Sequence, residues 1–177
     1  MTHPSATLEP TQRRITLLRH AKAMPDERGD DHGRILAPQG KEAAVALGDW
    51  LRENDLLPEL VLCSTAARTR ETLAALNAIL PTELHKSLYL GSAGDMLALL
   101  HKADDAVRHI MIVGHNPGMH AMAATMARGY VREADADAIV HRYPTCGLVS
   151  MSLPAVHWRD AAPQTGIVDI LRFDGID

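Results

Sequence analysis

Aromatic side chains are scarce in this sequence of 177 residues: two Trp, three Tyr and one Phe make up 3% of the chain. Proteins that hold single-stranded nucleic acid by base stacking need aromatic platforms, so that class is disfavoured. An excess of one charge sign is also lacking. Lys and Arg number 18 against 22 Asp and Glu, a formal net charge of −4, and no global field draws the chain to nucleic acid or anionic lipid. Cysteine is limited to Cys63 and Cys146. Two residues make no disulfide framework, and both read as reduced, buried small side chains. No run approaches the ~18 apolar residues of a membrane span. Met1 to Arg14 is polar, carries Pro4 and Pro10, and lacks the apolar stretch of a secretory signal. A cytoplasmic protein with no nucleic-acid or membrane partner is expected.

What is present is ordinary in bulk and odd in one detail. Apolar residues at 46% and charged residues at 23% are the balance of a globular protein. The length suits one domain at ~150 residues each, expected over 14–177 behind a flexible tail over 1–13. The odd detail is ten histidines, more than all the aromatics together.

The chain alternates between two patterns. Ile15-Thr16-Leu17-Leu18 is a short apolar run stopped by Arg19-His20, which predicts a buried strand ending in a polar loop. Pro38 to about Glu53 carries Ala43, Ala44, Leu47, Trp50 and Leu51 at helical spacing. Leu60-Val61-Leu62-Cys63 predicts a second strand, with Ser64 as N-cap of a helix from Ala66 to Leu80. Leu84 to Leu90 reads as a short strand, Asp95 to Lys102 as a helix, and His109 to Val113 as a third clear strand. Pro117 suits the first position of a helix running to about Arg128. Gly147 to Leu153 and Gly166 to Phe173 read as further strands, at least one near an edge. Asp104-Asp105 and Glu133 to Asp137 read as solvated turns. Strand and helix in alternation predict an α/β fold: a three-layer sandwich with a mostly parallel central sheet flanked by helices.

Ligands of such sheets bind outside the carboxyl ends of the strands. There the pattern places Arg19 and His20, then Ser64 to Arg68, then His115 and Asn116. Two guanidinium forks match a tetrahedral oxyanion, and helix N-termini add free N–H donors. Imidazole is a nucleophile when neutral, and neighbouring Arg charges favour the neutral form. A second histidine opposite would donate to the phosphoryl oxygens. Phosphoryl transfer asks mainly for positioning and charge neutralisation, which this set supplies with no metal or cofactor.

These residues carry a resemblance. Leu17-Leu18-Arg19-His20-Ala21-Lys22 resembles the Arg-His-Gly/Ala signature of the histidine phosphatase (phosphoglycerate mutase-like) superfamily. Asp31 to Gly40, with Arg34, Leu36 and Gly40, is similar to the segment before the family's first helix. Ser64, Arg68, Thr69 and Thr72 resemble its second-Arg motif, and Val113-Gly114-His115-Asn116-Pro117-Gly118 its second-His motif. Order and spacing agree from about residue 14 to 126. The small size and the Arg-His-Ala-Lys start look most like the SixA-type phosphohistidine phosphatases. The resemblance implies that His20 is the catalytic nucleophile, that Arg19, Arg68 and His115 hold the phosphoryl group, and that Asn116 shapes the pocket. It leaves Arg70 at the rim. It implies a phosphorylated protein carrying phosphohistidine as substrate. A small phosphorylated metabolite, or binding of a phosphate ligand without turnover, are the alternatives.

The sequence departs from larger family members at one point. Those carry a carboxylic acid after the next strand, to protonate the leaving oxygen. Here that stretch reads Leu88-Tyr89-Leu90-Gly91-Ser92-Ala93-Gly94-Asp95, with no Glu. Asp95 is better placed as a helix cap, and Asp30 and Asp31 are further acid candidates on a loop. Lacking a strong acid suits a P–N bond or another easy leaving group. His115 and His120 are five apart, not the spacing of one helix face, and the cysteines have no zinc spacing. The remaining histidines, His3, His32, His85, His101, His109, His141 and His157, read as solvated or satisfied. Cys63 stands one residue too close to Arg68 for a cysteine-phosphatase loop. Met119, Met122 and Met126 read as core.

Overall fold

The computed structural model describes residues 8–9, 11–27, 29–130 and 132–173. The tail expected over 1–13 falls mostly outside them, as does His3, and Arg13 already belongs to the first strand. In chain order the elements are β1 (Arg13–Arg19), α1 (Pro38–Glu53), β2 (Leu60–Ser64), α2 (Ala67–Ala75), β3 (Thr82–His85), α3 (Ala93–Leu100), β4 (His109–Gly114), α4 (Gly118–Met126), β5 (Ala127–Tyr130), α5 (Glu133–His141), β6 (Leu148–Leu153) and β7 (Gly166–Arg172).

The strands form one sheet in the order β3-β2-β4-β1-β6-β7-β5. β1 pairs parallel with β4, β4 with β2, and β2 with β3. β6 runs antiparallel between β1 and β7, and β5 is parallel to β7. The sheet is therefore mostly parallel, and the α/β sandwich is as expected. One core lies against α3, α4 and α5, built on Ile15, Leu17, Ile110, Ile112, Met119, Met122, Met126 and Trp158. The other lies under α1 and α2, built on Leu18, Ala44, Leu47, Leu51, Val61, Cys63, Met111 and Val113. Alternation along β1 and β4 feeds both layers, as a doubly covered sheet requires.

Several boundaries differ from the sequence reading, each for a local reason. The strand expected over Leu84 to Leu90 is β3, Thr82–His85, followed by a 3-10 turn over Lys86–Leu88. Its residues are mostly exposed, so pairing with β2 makes the strand and apolar content does not. The second helix ends at Ala75, because Asn77 takes a left-handed φ of 51°. Ile79, expected within that helix, lies beyond it and is fully exposed. The helix after Pro117 ends at Met126, and the chain continues as edge strand β5. Glu133 to Asp137 belongs to α5, not to a solvated turn. There Asp135 is buried and paired with Arg132 at 2.9 Å.

Candidate active site

Parallel order β2-β4-β1 sets three strand ends side by side. The residues just beyond them line a cavity of ≈ 510 Å³, which includes Arg19, His20, Arg68, His115 and Asn116. All five side chains expected from sequence therefore meet at one edge of the sheet. Asp31, Arg34 and Lys22 also line it.

His20 is held by backbone on both sides. Its N–H donates to the Gly114 carbonyl, and its own carbonyl accepts from Cys146 N–H, both at 3.0 Å. The next amide, Ala21 N–H, donates to Thr72 Oγ1 at 2.9 Å, and Thr72 Oγ1 donates to the Arg68 carbonyl at 2.6 Å. Thr72 thus ties the His20 loop to the helix that carries Arg68. Thr69 donates to the Ser64 and Ala66 carbonyls, both at 2.8 Å, and shapes the turn between β2 and α2. Gly40 has a steric reason as well: a Cβ there would lie 2.1 Å from the Lys22 carbonyl oxygen. At Gly118 it would lie 1.9 Å from the Gly91 carbonyl oxygen.

The imidazole of His20 lies 2.8 Å, through Nδ1, from the Ala21 carbonyl. A carbonyl only accepts, so Nδ1 carries the proton and Nε2 keeps its lone pair. Burial lowers the His20 pKa to about 4, and the charges of Arg68, Arg19 and Arg34 push the same way against the hydrogen bond to Ala21. His20 is neutral at pH 7. Its ring centroid lies 5.1 Å from that of His115. His115 is lowered to about 3, first by burial and then by Arg68 and His20. Its Nε2 lies 2.9 Å from Ser64 Oγ. Ser64, expected to cap α2, is instead the last residue of β2 and fixes this ring; Ala66 takes the cap position.

Arg68 stands in the first turn of α2 and its guanidinium is almost wholly buried. It pairs with Asp31 through Nη2–Oδ2 at 3.0 Å and donates to the Asp31 carbonyl through Nη1. Arg19 Nη1 and Asn116 Nδ2 both donate to the Tyr143 carbonyl, at 2.7 and 2.9 Å. Arg68 Nε and His115 Nδ1 are buried with no hydrogen-bond partner among the described residues. Buried polar groups in that condition are costly unless a ligand answers them. Two guanidiniums, a neutral nucleophilic imidazole and a second imidazole around one cavity are equipped to bind and transfer a phosphoryl group.

Sequence reasoning missed the wall facing these residues. Tyr89 donates to Asp31 Oδ2 at 2.7 Å, packs edge-on to His115 with centroids 5.5 Å apart, and lies under Arg68 at 5.9 Å. His32, read as solvated or satisfied, packs on Tyr89 with centroids 4.8 Å apart. Tyr89 had no signal of its own in the sequence, being one hydroxyl in a loop. Asp31, weighed as a proton donor, is held well below the usual carboxylate range. The hydrogen bond from Tyr89 is the largest cause, with Arg34 and Arg68 adding to it. It has no proton to give at neutral pH. Asp95, expected as the cap of this helix, is its third residue; Ser92 takes the N-cap position and Asp95 closes a capping box with it at the start of α3. Cys63 is buried in β2 and its thiol is pushed up to about 12, mainly by burial, which leaves no thiolate for a cysteine-phosphatase reaction. Among the described residues no group of His, Cys, Asp and Glu converges as a metal site.

The comparisons agree with this geometry. A family model described as the histidine phosphatase superfamily (branch 1) matches residues 15–99. An uncharacterized protein of Mycobacterium tuberculosis is 35% identical over 147 residues, spanning 82% of this chain and 92% of that protein. Among solved structures, a provisionally assigned phosphohistidine phosphatase SixA from Nakamurella multipartitia superposes with a TM-score of 0.81 at 30% identity, over 92% of this chain and 96% of that one. Its counterpart from Agrobacterium tumefaciens gives 0.70 at 31% identity, over 80% and 92%.

Proposed function

Since the chain belongs to the histidine phosphatase superfamily and is a phosphatase, we propose that it removes the phosphoryl group from phosphohistidine in a protein substrate, through a covalent intermediate on His20. Arg19, Arg68 and His115 hold the phosphoryl oxygens in this reading, and Asn116 shapes the wall beside them. His20 Nε2 attacks phosphorus as the bond to the leaving nitrogen breaks, and the electron pair stays on that nitrogen.

One observation carries the choice of substrate. Asp31 is the carboxyl group among the described residues lining the cavity, and it is ionised. An alkoxide leaving group needs a proton that this site does not hold. A phosphohistidine ring can take a proton from solvent on its other nitrogen near neutral pH, and in that form it departs as neutral imidazole with no acid in the site. The names of the structural relatives from Nakamurella and Agrobacterium, provisionally assigned as phosphohistidine phosphatases, support the same choice.

The test is a substrate panel with chelator present. Turnover should rank phosphohistidine peptide above aryl phosphate, and aryl above alkyl phosphate by about 10²-fold or more, the usual size of missing general acid catalysis. His20→Ala should abolish both turnover and the phosphoprotein trapped by an alkaline denaturing quench. Alkyl esters cleaved as fast as the peptide, or a His20→Ala variant that still turns over, would overturn the reading.

A further inference from the structure

Hydrolysis of a phosphohistidine intermediate needs a proton acceptor for water, and the catalytic set so far names none. We propose that Asp31 is that acceptor: it serves the second half of the reaction, the hydrolysis of phospho-His20, and takes no part in expelling the first leaving group. This rests on the covalent reading above and adds a residue to it.

The geometry comes first. The Asp31 carboxylate is at the wall of the same cavity as His20 and His115. It is 40% exposed, whereas the whole of His20 is 9% exposed, so Asp31 stands toward the mouth and His20 toward the floor. In-line displacement brings water in from the side opposite the breaking P–N bond, which is the side of the mouth. The carboxylate is also fixed without being sealed. Arg34 of the same loop donates to Oδ1 at 2.9 Å, and Tyr89 donates to Oδ2 at 2.7 Å. Arg68 of α2 reaches Oδ2 at 3.0 Å. When a phosphoryl group takes the Arg68 fork, Arg34 and Tyr89 still hold Asp31 in place.

Charge decides which half-reaction it serves. The groups facing Asp31 are Arg34 on its own loop, Arg68 from α2, Tyr89 after the 3-10 turn and His115 after β4. Three of them donate hydrogen bonds to the ionised form or attract it, so Asp31 enters the cycle as an anion. An anion accepts a proton and donates none. A phosphoryl dianion beside it raises its proton affinity, which improves it as a base for as long as the intermediate persists.

The step balances. Water oxygen bonds to phosphorus while the P–Nε2 bond breaks, and the electron pair of that bond returns to Nε2. Nδ1 keeps its proton on the Ala21 carbonyl, so His20 leaves as neutral imidazole. One water proton passes to Asp31 and the other stays on the phosphate. Asp31 then releases its proton to solvent through the open mouth.

The experiment separates the half-reactions on the full chain, with nitrophenyl phosphate in rapid-quench measurements. Asp31→Asn should release its first equivalent of nitrophenol at a rate within a few-fold of wild type. It should then turn over about 10²- to 10³-fold more slowly, with phosphate accumulating on His20. Added formate should restore part of the loss in Asp31→Ala. Tyr89→Phe removes a donor that stabilises the anion but keeps the carboxylate, so the acid limb of phosphoenzyme hydrolysis should move to higher pH. A first-turnover rate that falls in step with the steady state would make Asp31 a mere support for Arg68 and overturn the inference. So would unchanged turnover, or an unmoved acid limb in Tyr89→Phe. If phosphate is trapped on His20 in neither wild type nor variant, the covalent reading itself falls, and the inference with it.

Discussion

Which nitrogen of His20 holds the proton governs what the residue can do. Had Nε2 been the protonated one, the lone pair would lie against the Ala21 carbonyl and the ring would be inert toward phosphorus. The hydrogen bond at 2.8 Å settles the tautomer, and burial among guanidiniums keeps the ring neutral down to about pH 4. This can be watched directly. In an NMR titration the His20 ring signals should move near pH 4 and not near the ordinary ~6.5 of a free histidine; a midpoint near 6.5 would contradict the burial argument. Stability follows by linkage. A histidine with a lowered folded-state pKa binds fewer protons folded than unfolded once the pH is below ~6.5. Its contribution is therefore complete above that value and is lost as pH falls through about 4 for His20 and about 3 for His115 and His109. Denaturant melts should give a constant midpoint from pH 8 to 7 and a falling one from pH 6 to 4, since the unfolded chain takes up protons first. His109 belongs in that sum although it is far from chemistry: it is buried at the other end of β4, 2.8 Å from Thr16 Oγ1.

At the scale of elements, legibility follows from how each segment is buried. β1, β2 and β4 are covered on both faces, so they read as unbroken apolar runs, and the polar residues that stop them are the site. That is why Arg19, His20, Arg68, His115 and Asn116 could be placed together from sequence alone. β3 is an exposed edge and α5 is rich in acidic residues, so neither has a pattern that periodicity detects. The Asp31–Tyr89 bond joins segments 58 residues apart, and nothing local encodes it. A capping role for Asp95 was legible, though its partner Ser92 was not, and the pair makes a clean test. Ser92 accepts from Asp95 N–H at 3.2 Å while Asp95 Oδ2 accepts from Ser92 N–H at 2.8 Å. Ser92→Ala should cost about 1 kcal/mol of stability and leave kcat unchanged. Asp95→Asn should likewise lower the melting temperature slightly and leave the pH profile where it was. A large loss of kcat with ester substrates in Asp95→Asn would return that carboxylate to the role of proton donor.

At the scale of the whole molecule, the charge that matters is not the net charge. The chain carries −4 in total, which would repel a phosphorylated ligand at long range. Yet among the described residues the cavity is lined by Arg19, Lys22, Arg34 and Arg68 against the one carboxylate of Asp31. A cleft with low-dielectric walls focuses the field of the charges that line it, so an approaching dianion responds to the cations at the mouth once it comes within a screening length. The consequence is an asymmetric dependence on salt. Raising ionic strength from about 0.02 M to about 0.5 M with a non-phosphate salt shortens the screening length roughly five-fold. Capture of an aryl phosphate dianion, read as kcat/KM, should then fall by about three- to ten-fold. The bound complex lies against the Arg68 guanidinium, which is almost wholly buried, so kcat should change by less than about two-fold over the same range. Lys22→Gln should flatten the salt dependence of kcat/KM without moving kcat, because Lys22 adds to the field at the mouth and holds no reacting atom. If kcat/KM were indifferent to salt in the wild-type protein, the acidic remainder of the surface would be cancelling the local field, and capture would depend on contact inside the pocket alone.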